Sequence, residues 1–248
     1  EIVKSHLAAG TFPPTWERRV RNFLKTIVSI GCTPDLMRHL ILTQNRLWLG
    51  LFLGLCLAAG CAATPPKQQH NICSVFDQHP AWYDYAQESA KIWGTPVQIQ
   101  MAFVRQESSY RENAKPPFAW FLFIPLGRPS SATGFAQIQD PVWKEYTAER
   151  GSLFRSRGDM EDALDFIGWD NHKRHKQIGL SKWNARELYL AYHEGRGGYR
   201  RGSFKKKPTL LKVADKVART ADEYGTQLKQ CDARFRCRHW YQFWPFCR

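Results

Sequence analysis

Apolar side chains recur at steps of three and four residues along most of the chain, which is the spacing of one face of an α-helix. This pattern predicts six helices, over residues 80–93, 96–108, 141–150, 159–171, 182–194 and 208–229. Ser181 is an expected helix start, and Gly195 and Gly225 are expected stops or breaks. Segments in which apolar and polar residues alternate, as they do in a half-buried strand, are scarce. The sequence therefore predicts a mainly α-helical domain with little or no sheet.

The second predicted helix carries the first candidate for chemistry, Glu107. Thr95-Pro96 supplies an N-cap and a proline at the first helical position, and Val97, Met101 and Val104 then mark a buried face. Glu107 follows in the last turn, at the edge of an apolar wall. Because burial disfavours the charged form of a carboxyl group, we expect its pKa to be raised, as a general acid at neutral pH requires. The alternative is a solvated glutamate that pairs with a neighbouring arginine.

Three short stretches stand in an order that few proteins share. They are Gln106-Glu107-Ser108-Ser109-Tyr110, Gly134-Phe135-Ala136-Gln137 and Leu190-Ala191-Tyr192-His193-Glu194-Gly195. Each alone is a weak signal, but their order and spacing together are specific. They resemble the catalytic signature of the lytic transglycosylases with a soluble-lytic-transglycosylase (SLT) domain, lysozyme-like enzymes that cut the glycan of bacterial peptidoglycan. The resemblance covers roughly residues 73 to 231.

The resemblance implies a lysozyme-like helical domain and a reaction carried out by one carboxyl group. Glu107 would protonate the oxygen of the β-1,4 bond between N-acetylmuramic acid and N-acetylglucosamine. As a carboxylate it would then withdraw the proton from the C6 hydroxyl of the same muramic acid, which closes a 1,6-anhydro ring. A second carboxylate to position a water molecule, as most hydrolysing glycosidases use, is not needed.

The resemblance also implies a set of substrate-binding residues: Ser108, Gly134, Phe135, Gln137, Tyr192 and His193. Gln137 is expected to hydrogen-bond a sugar amide or hydroxyl, Tyr192 to orient Glu107 or the acetamido group, and Ser108 to cap the site. The chain departs from the family at Ala136, where methionine is usual, and at His193, where asparagine is usual. These departures concern the sugar contacts and leave the reaction type intact.

Two other functions remain open at this point. One is a hydrolysing lysozyme that pairs Glu107 with Glu194 or Asp140 as the second carboxylate. The other is a non-catalytic lipoprotein that binds peptidoglycan. The analysis of cleavage products separates the first of these from a transglycosylase, and any turnover excludes the second.

The stretch from Met37 to Cys61 is typical of an export signal. A basic lead precedes an apolar run from Leu47 to Leu57, which is too short to span a bilayer because a spanning helix needs about 20 apolar residues. Small residues follow it, as they do before a signal-peptide cut. The ending Ala58-Ala59-Gly60-Cys61 resembles a bacterial lipobox, so we expect a signal peptide over 37–60 and lipid attachment at Cys61. The alternative is an ordinary soluble periplasmic signal.

These signals predict the domain organisation and the location. Residues 61–79 are expected to be a lipid-tether linker, 80–231 the lysozyme-like domain and 232–248 a basic aromatic tail. Residues 1–36 precede the first methionine and are either translated leader or an amphipathic extension for a membrane surface. The expected location is the periplasm of a Gram-negative bacterium, at the outer membrane. The apolar loop 116–125 either walls the glycan groove, leans on the membrane or packs on its own domain.

Charge and composition narrow the partners. The formal net charge is +14, which suits an anionic partner such as nucleic acid, lipid headgroups or an envelope polymer. The basic stretch 196–207 would in isolation be compatible with nucleic acid. Because an exported protein meets the cell envelope, we expect peptidoglycan and the membrane as partners, no nucleic acid, and a monomer. No cofactor is expected, and no Cys-x-x-Cys or His-x-x-x-His spacing predicts a metal site.

The cysteines agree with export. Of seven cysteines, two precede the predicted cut and one would be lipidated, which leaves Cys73, Cys231, Cys237 and Cys247. Four cysteines in an oxidising compartment suggest disulfides and allow three connectivities. We favour Cys73 with Cys231 because these two bracket the region of resemblance. A loop that long would stabilise the fold by roughly 5 kcal/mol.

Overall fold

A computed structural model describes residues 64–117, 119–121, 124–128, 130–151 and 153–236, without the side chains of 119–121 and 124–126. The predicted extension, the predicted signal peptide and Cys61, the expected lipidation site, lie outside these residues, as do Cys237 and Cys247. Within the described ranges, no helix is both long enough and apolar enough to cross a membrane.

The described part of the chain contains seven α-helices, one 3₁₀ turn and one pair of short strands. In chain order these are α1 (Ile72–Gln78), α2 (Pro80–Trp93), α3 (Val97–Ser108), β1 (Ala119–Phe121), β2 (Ile124–Gly127), α4 (Asp140–Arg150), α5 (Met160–Ile178), α6 (Ala185–Arg200), the 3₁₀ turn (Ser203–Lys206) and α7 (Pro208–Arg236). The two strands pair antiparallel and form the only sheet within these ranges. The predicted fold class, a mainly helical domain with little or no sheet, is confirmed.

Helix α3 lies at the centre of the domain. It packs against α2, α5 and α7, and its residues Met101, Phe103 and Val104 are completely buried. The helix ends where Ser109 adopts a left-handed conformation with φ of 52° and donates its backbone N–H to the carbonyl of Arg105. The four consecutive apolar residues from Met101 to Val104 are all buried, so the helix is enclosed on most sides and the position of its last turn is fixed.

Helix α1 corrects the predicted linker. Its residues Ile72, Val75 and Phe76 are completely buried, and a disulfide joins Cys73 to Cys231 of α7, the pair favoured from the sequence. Residues 72–78 therefore belong to the domain, and the predicted linker over 61–79 is wrong for this stretch. A helix of seven residues is too short to show a repeating apolar face, which is why periodicity missed it.

Helix α7 corrects the other boundary. It continues through Gly225, which the sequence marked as a break, and past Cys231 to Arg236. The Phe235 ring packs on Phe76 at 5.6 Å between ring centroids, so the tail prediction is wrong for residues 232–236. The remaining residues of the predicted tail lie outside the described part of the chain. A single glycine costs a helix only about 1 kcal/mol, which burial on one face outweighs.

Helix α6 begins later than predicted and bends near its end. Its N-cap is Asn184, whose side chain accepts the backbone N–H of Glu187, rather than Ser181. At Gly195 the backbone takes φ of 69° and ψ of 166°, a conformation that is open essentially to glycine alone. The break expected at Gly195 is therefore present, and a short helical turn follows it. The side chains of the apolar loop 116–125 lie largely outside the description, so its role stays a prediction.

Candidate active site

The fold brings the three predicted stretches together through α6. The Tyr189 hydroxyl on α6 donates a hydrogen bond to the carboxylate of Glu107 at the end of α3. One turn further along α6, the Tyr192 hydroxyl donates to the backbone carbonyl of Ala136 at 2.6 Å. Helix α6 thus contacts both the end of α3 and the turn that contains Gly134-Phe135-Ala136-Gln137.

Glu107 lies in a largely apolar environment at the protein surface. Phe103, one turn earlier on α3, is completely buried and meets the Tyr189 ring edge-on at 5.3 Å. Burial raises the pKa of Glu107 to about 7, although the hydrogen bond from Tyr189 lowers it. Close to neutral pH this carboxyl group can therefore give up a proton and take one back, which both a general acid and a general base must do.

The backbone directly after Glu107 is held in an uncommon conformation. Ser109 and Tyr110 have φ of 52° and 60°, and left-handed geometry in two successive non-glycine residues costs free energy that the surroundings must offset. The buried Tyr110 hydroxyl donates to the carbonyl of Met101 at 3.2 Å and lies 3.0 Å from the Tyr224 hydroxyl on α7. The hydrogen bond to α3 and the contact with α7 therefore fix the chain reversal behind Glu107.

The turn from Gly134 to Gln137 lies very close to the backbone of another segment, at Arg157. Gly134 has φ of 81°, and a Cβ at this position would lie 1.9 Å from the carbonyl oxygen of Arg157. The neighbouring Phe135 N–H donates to that same oxygen at 3.2 Å, and the Phe135 ring is buried against Trp82 at 5.7 Å. Gly134 and Phe135, predicted to bind substrate, thus hold the turn in place within the domain.

Gln137 completes the turn with its side chain. Its Nε2 donates to the carbonyls of Ala114 and Gly134 at 2.8 and 3.0 Å. The same Ala114 carbonyl accepts the Gly134 backbone N–H at 3.0 Å. Both amide hydrogens are therefore used within the protein, and Oε1 is the Gln137 atom left for a sugar hydroxyl or amide to approach. The sequence predicted a sugar contact by the Gln137 side chain as a whole, whereas the structure leaves only its Oε1 atom for that contact.

Tyr192 and Ser108 use their hydroxyl groups for hydrogen bonds within the protein, whereas the sequence suggested direct roles at the site for both residues. The Ser108 hydroxyl is buried and donates to the carbonyl of Val104 at 3.1 Å. Tyr192 donates to Ala136, and the guanidinium of Arg174 lies 5.7 Å from the centre of its ring. Tyr192 therefore positions the turn, and the group that contacts Glu107 is Tyr189.

Tyr189 is the site residue that sequence reasoning missed. It stands three positions before Tyr192, and the two rings lie nearly parallel at 6.5 Å between their centroids. Burial and the adjacent Glu107 carboxylate raise the pKa of its hydroxyl far above the ordinary value of tyrosine, so it remains a hydrogen-bond donor at any physiological pH. The sequence did contain a signal for Tyr189, because it stands three positions before Tyr192 and residues three apart on a helix share a face.

Replacing Tyr189 by phenylalanine is expected to raise the pKa of Glu107 above about 7, because the hydrogen bond that favours the carboxylate is removed while burial remains. Carboxyl ¹³C NMR over a pH series measures this directly. Tyr192→Phe is the control, since that hydroxyl donates to Ala136 instead. A Tyr189→Phe protein whose Glu107 titrates at or below the wild-type pKa would rule out the assigned hydrogen bond.

The two candidates for a second carboxylate are engaged in ion pairs. Glu194 binds Lys207 at 2.6 Å and accepts the Ser203 hydroxyl, and these contacts lower its pKa to about 2. Asp140 pairs with Arg157 at 2.7 Å. His193 is exposed, with its Nδ1 3.3 Å from a Glu194 oxygen. Glu194 is therefore permanently charged at neutral pH and unsuited to donate a proton.

Within the part of the chain that the structure describes, no group of three or more histidine, cysteine, aspartate or glutamate side chains is arranged to hold a metal ion. The candidate site consists of one titrating carboxyl group, one tyrosine donor and one tightly anchored turn.

A helical domain with a lone, partly buried glutamate at the end of its central helix has the organisation of a lysozyme-like glycan-cleaving domain. The model of the transglycosylase SLT domain family matches residues 49–231, about three quarters of the chain. The chain belongs to that family, whose members are peptidoglycan-degrading enzymes. Comparisons with curated proteins and with solved structures found no match.

Proposed function

We propose that this protein is a peptidoglycan lytic transglycosylase in which Glu107 acts first as general acid and then as general base. It cleaves the β-1,4 bond between N-acetylmuramic acid and N-acetylglucosamine and leaves 1,6-anhydro-N-acetylmuramic acid ends. Membership of the SLT family supports the substrate and the class of reaction. The observation that carries the assignment to Glu107 is its place at the end of the buried helix α3, next to Phe103 and Tyr189, where burial raises its pKa to about 7.

The reaction requires one proton to move twice. The Glu107 carboxyl group gives its proton to the glycosidic oxygen, the bond to C1 of the muramic acid breaks, and N-acetylglucosamine leaves with a free hydroxyl. The Glu107 carboxylate then takes the proton of the C6 hydroxyl as that oxygen bonds to C1. The carboxyl group is regenerated, no water is consumed, and the products together have the atoms of the substrate.

The surroundings of Glu107 support both steps. A pKa near the working pH makes the carboxyl group an effective acid and its conjugate base an effective base, because either form is readily populated. Tyr189 donates to the carboxylate and holds its orientation between the two transfers. Gln137 Oε1, at the edge of the turn, is the acceptor that we assign to an N-acetyl amide or a hydroxyl of the bound sugar.

The state of the other carboxylates favours this reaction over hydrolysis. A hydrolysing enzyme needs a second carboxylate to activate water or form a covalent intermediate. Glu194 is held by Lys207 and Ser203, and Asp140 is held by Arg157 while its side chain remains 64 % exposed. Each of these two carboxylates already has a cationic partner within the protein.

Analysis of the products tests the reaction. A limit digest of purified sacculi is expected to contain 1,6-anhydro ends, each one water lighter by mass spectrometry than the reducing end that hydrolysis leaves. Glu194→Gln is expected to give the same anhydro products, because its charge is used against Lys207. Mainly reducing ends from the wild-type protein, or a Glu194→Gln variant as inactive as Glu107→Gln, would assign the chain to the hydrolysing class.

The location follows from the sequence before the domain. We propose that the protein acts in the periplasm, tethered to the outer membrane by a lipid on Cys61, since a basic lead, an apolar run and small residues precede that cysteine. Cys61→Ser is expected to move the protein from the membrane fraction to the soluble periplasmic fraction. Wild-type protein that already fractionates as soluble would remove the tether and leave the proposed reaction untouched.

A further inference from the structure

A cleft opens on the domain between the start of α3, the segment before α6 and the middle of α7. Its volume is about 730 Å³, within the range of sites that hold small organic ligands. The floor consists of small or apolar side chains, among them Ile99, Ala185 and Ala221. Polar side chains and one exposed indole, Trp183, form the rim.

The cleft lies on a different side of α3 from Glu107. Gln98, which lines it, stands nine positions before Glu107. That separation is about two and a half turns of helix and roughly 13 Å along the axis, so the two side chains leave α3 from opposite faces. The Gln98 side chain lies against Gly225 of α7. The cleft therefore begins at the opposite end of α3 from the Glu107 carboxyl group.

Trp183 projects from a turn that is fixed on both sides. It is 72 % exposed, while its backbone N–H donates to the Ser181 hydroxyl at 3.2 Å and the next N–H donates to the Ser181 carbonyl at 3.1 Å. Lys182 between them donates to the carbonyl of Trp93 at 2.5 Å. An exposed indole beside the cleft gives that cleft a flat apolar face on which a ring of a ligand can stack.

The rim carries no excess of positive charge. Arg186 pairs with Asp215 and with Glu187, each at 2.6 Å, and Asp222 and Lys229 add one charge of each sign. A site for a polyanion such as a lipid phosphate surface would carry an excess of positive charge. A neutral ligand rich in hydroxyl and amide groups fits this rim better.

We propose that this cleft binds a stretch of peptidoglycan glycan that the enzyme does not cleave, with one sugar ring stacked on Trp183. The apolar face of a pyranose ring fits an indole, amide and charged side chains at the rim serve its hydroxyl groups, and the small apolar floor receives the methyl of an N-acetyl group. Peptidoglycan presents many neighbouring strands, so an enzyme with this second site holds one strand while it cuts another. The inference rests on the proposed function for the identity of the polymer.

Binding by the inactive full chain tests the proposal without turnover. Glu107→Gln protein is titrated with glycan strands freed of stem peptides, and its affinity is compared by calorimetry with that of Glu107→Gln/Trp183→Ala. We expect Trp183→Ala to weaken binding about tenfold, as loss of an aromatic contact does, and Trp183→Phe to retain most of it. Ile92→Ala is the matched control, an exposed apolar side chain on α2 outside the cleft, and is expected to bind like the parent.

A second readout locates the contact. The indole N–H signal of Trp183, recognised by its loss in Trp183→Phe, is expected to shift when stem-free oligosaccharide is added. Unchanged affinity in Trp183→Ala, or a Trp183 signal that stays fixed while glycan saturates the protein, overturns the proposal. Dependence on Trp183 that appears only with peptide-bearing strands also overturns it, because the ligand would then be the stem peptide. Since no cleavage is measured, these failures are distinct from a failure of the role proposed for Glu107.

Discussion

Replacing Glu107 by glutamine is expected to abolish the clearing of cell walls while leaving the fold intact. The amide has the shape of the carboxyl group but cannot donate a proton to the glycosidic oxygen or withdraw one from the C6 hydroxyl. Loss of a general acid typically lowers the rate about 10²- to 10⁴-fold. Because the same group also serves as the base here, we expect activity to fall by about 10⁴-fold or more. Turbidity clearance of purified cell walls measures it, with Glu194→Gln as the matched glutamate control. Clearance by the Glu107→Gln protein within a few-fold of wild type would remove Glu107 from the reaction.

The free energy of unfolding of the Glu107→Gln protein shows whether that protein is folded, and its dependence on pH gives the direction of the Glu107 pKa shift. Because the pKa of Glu107 is raised from 4.5 to about 7 in the folded protein, the folded state binds more protons than the unfolded state between those values. The free energy of unfolding therefore falls as pH rises through that window, by at most about 3 kcal/mol. Glu107→Gln cannot ionise and lacks this fall. It should match wild type near pH 4 and be more stable at pH 8, whereas a smaller free energy of unfolding at pH 8 would contradict the raised pKa.

The helices that pack one long apolar face were predictable from the sequence, and their ends were less so. Helices α2 and α3 match the predicted ranges to within a residue, because each has a proline at its start and a repeating apolar pattern. Helix α5 runs seven residues beyond its predicted end to Ile178, through polar residues that carry no apolar period. Its buried Arg174 is satisfied by Asp170 at 2.6 Å, a pairing along the helix that a hydropathy pattern does not register.

The raised pKa of Glu107 was predictable from the sequence, whereas the contacts of the tyrosines near it were not. Glu107 and its raised pKa follow from an apolar helix that ends in a carboxyl group. The roles of Tyr189 and Tyr192 depend on which hydroxyl meets the end of α3 and which meets the turn at Ala136. The rotation of α6 relative to α3 determines these contacts, and that rotation cannot be obtained from a single sequence. The cleft beside Trp183 was missed for the same reason, since three segments far apart in the chain form it.

Removing the disulfide is expected to lower the free energy of unfolding by roughly 5 kcal/mol, because the crosslink closes a loop of 158 residues and restricts the unfolded chain. The effect should reach the site as well. The segment before α1 contacts the end of α3, where Gln69 Nε2 donates to the Ser109 carbonyl at 3.1 Å and the Gln69 carbonyl accepts the Tyr224 hydroxyl. Urea unfolding of the Cys73→Ser/Cys231→Ser protein measures the loss in free energy of unfolding. Reductant should lower the stability of the wild type to that of the variant, and it should leave the stability of the variant unchanged. A loss below about 1 kcal/mol, or equal sensitivity of both proteins to reductant, would mean that the crosslink does not stabilise the domain.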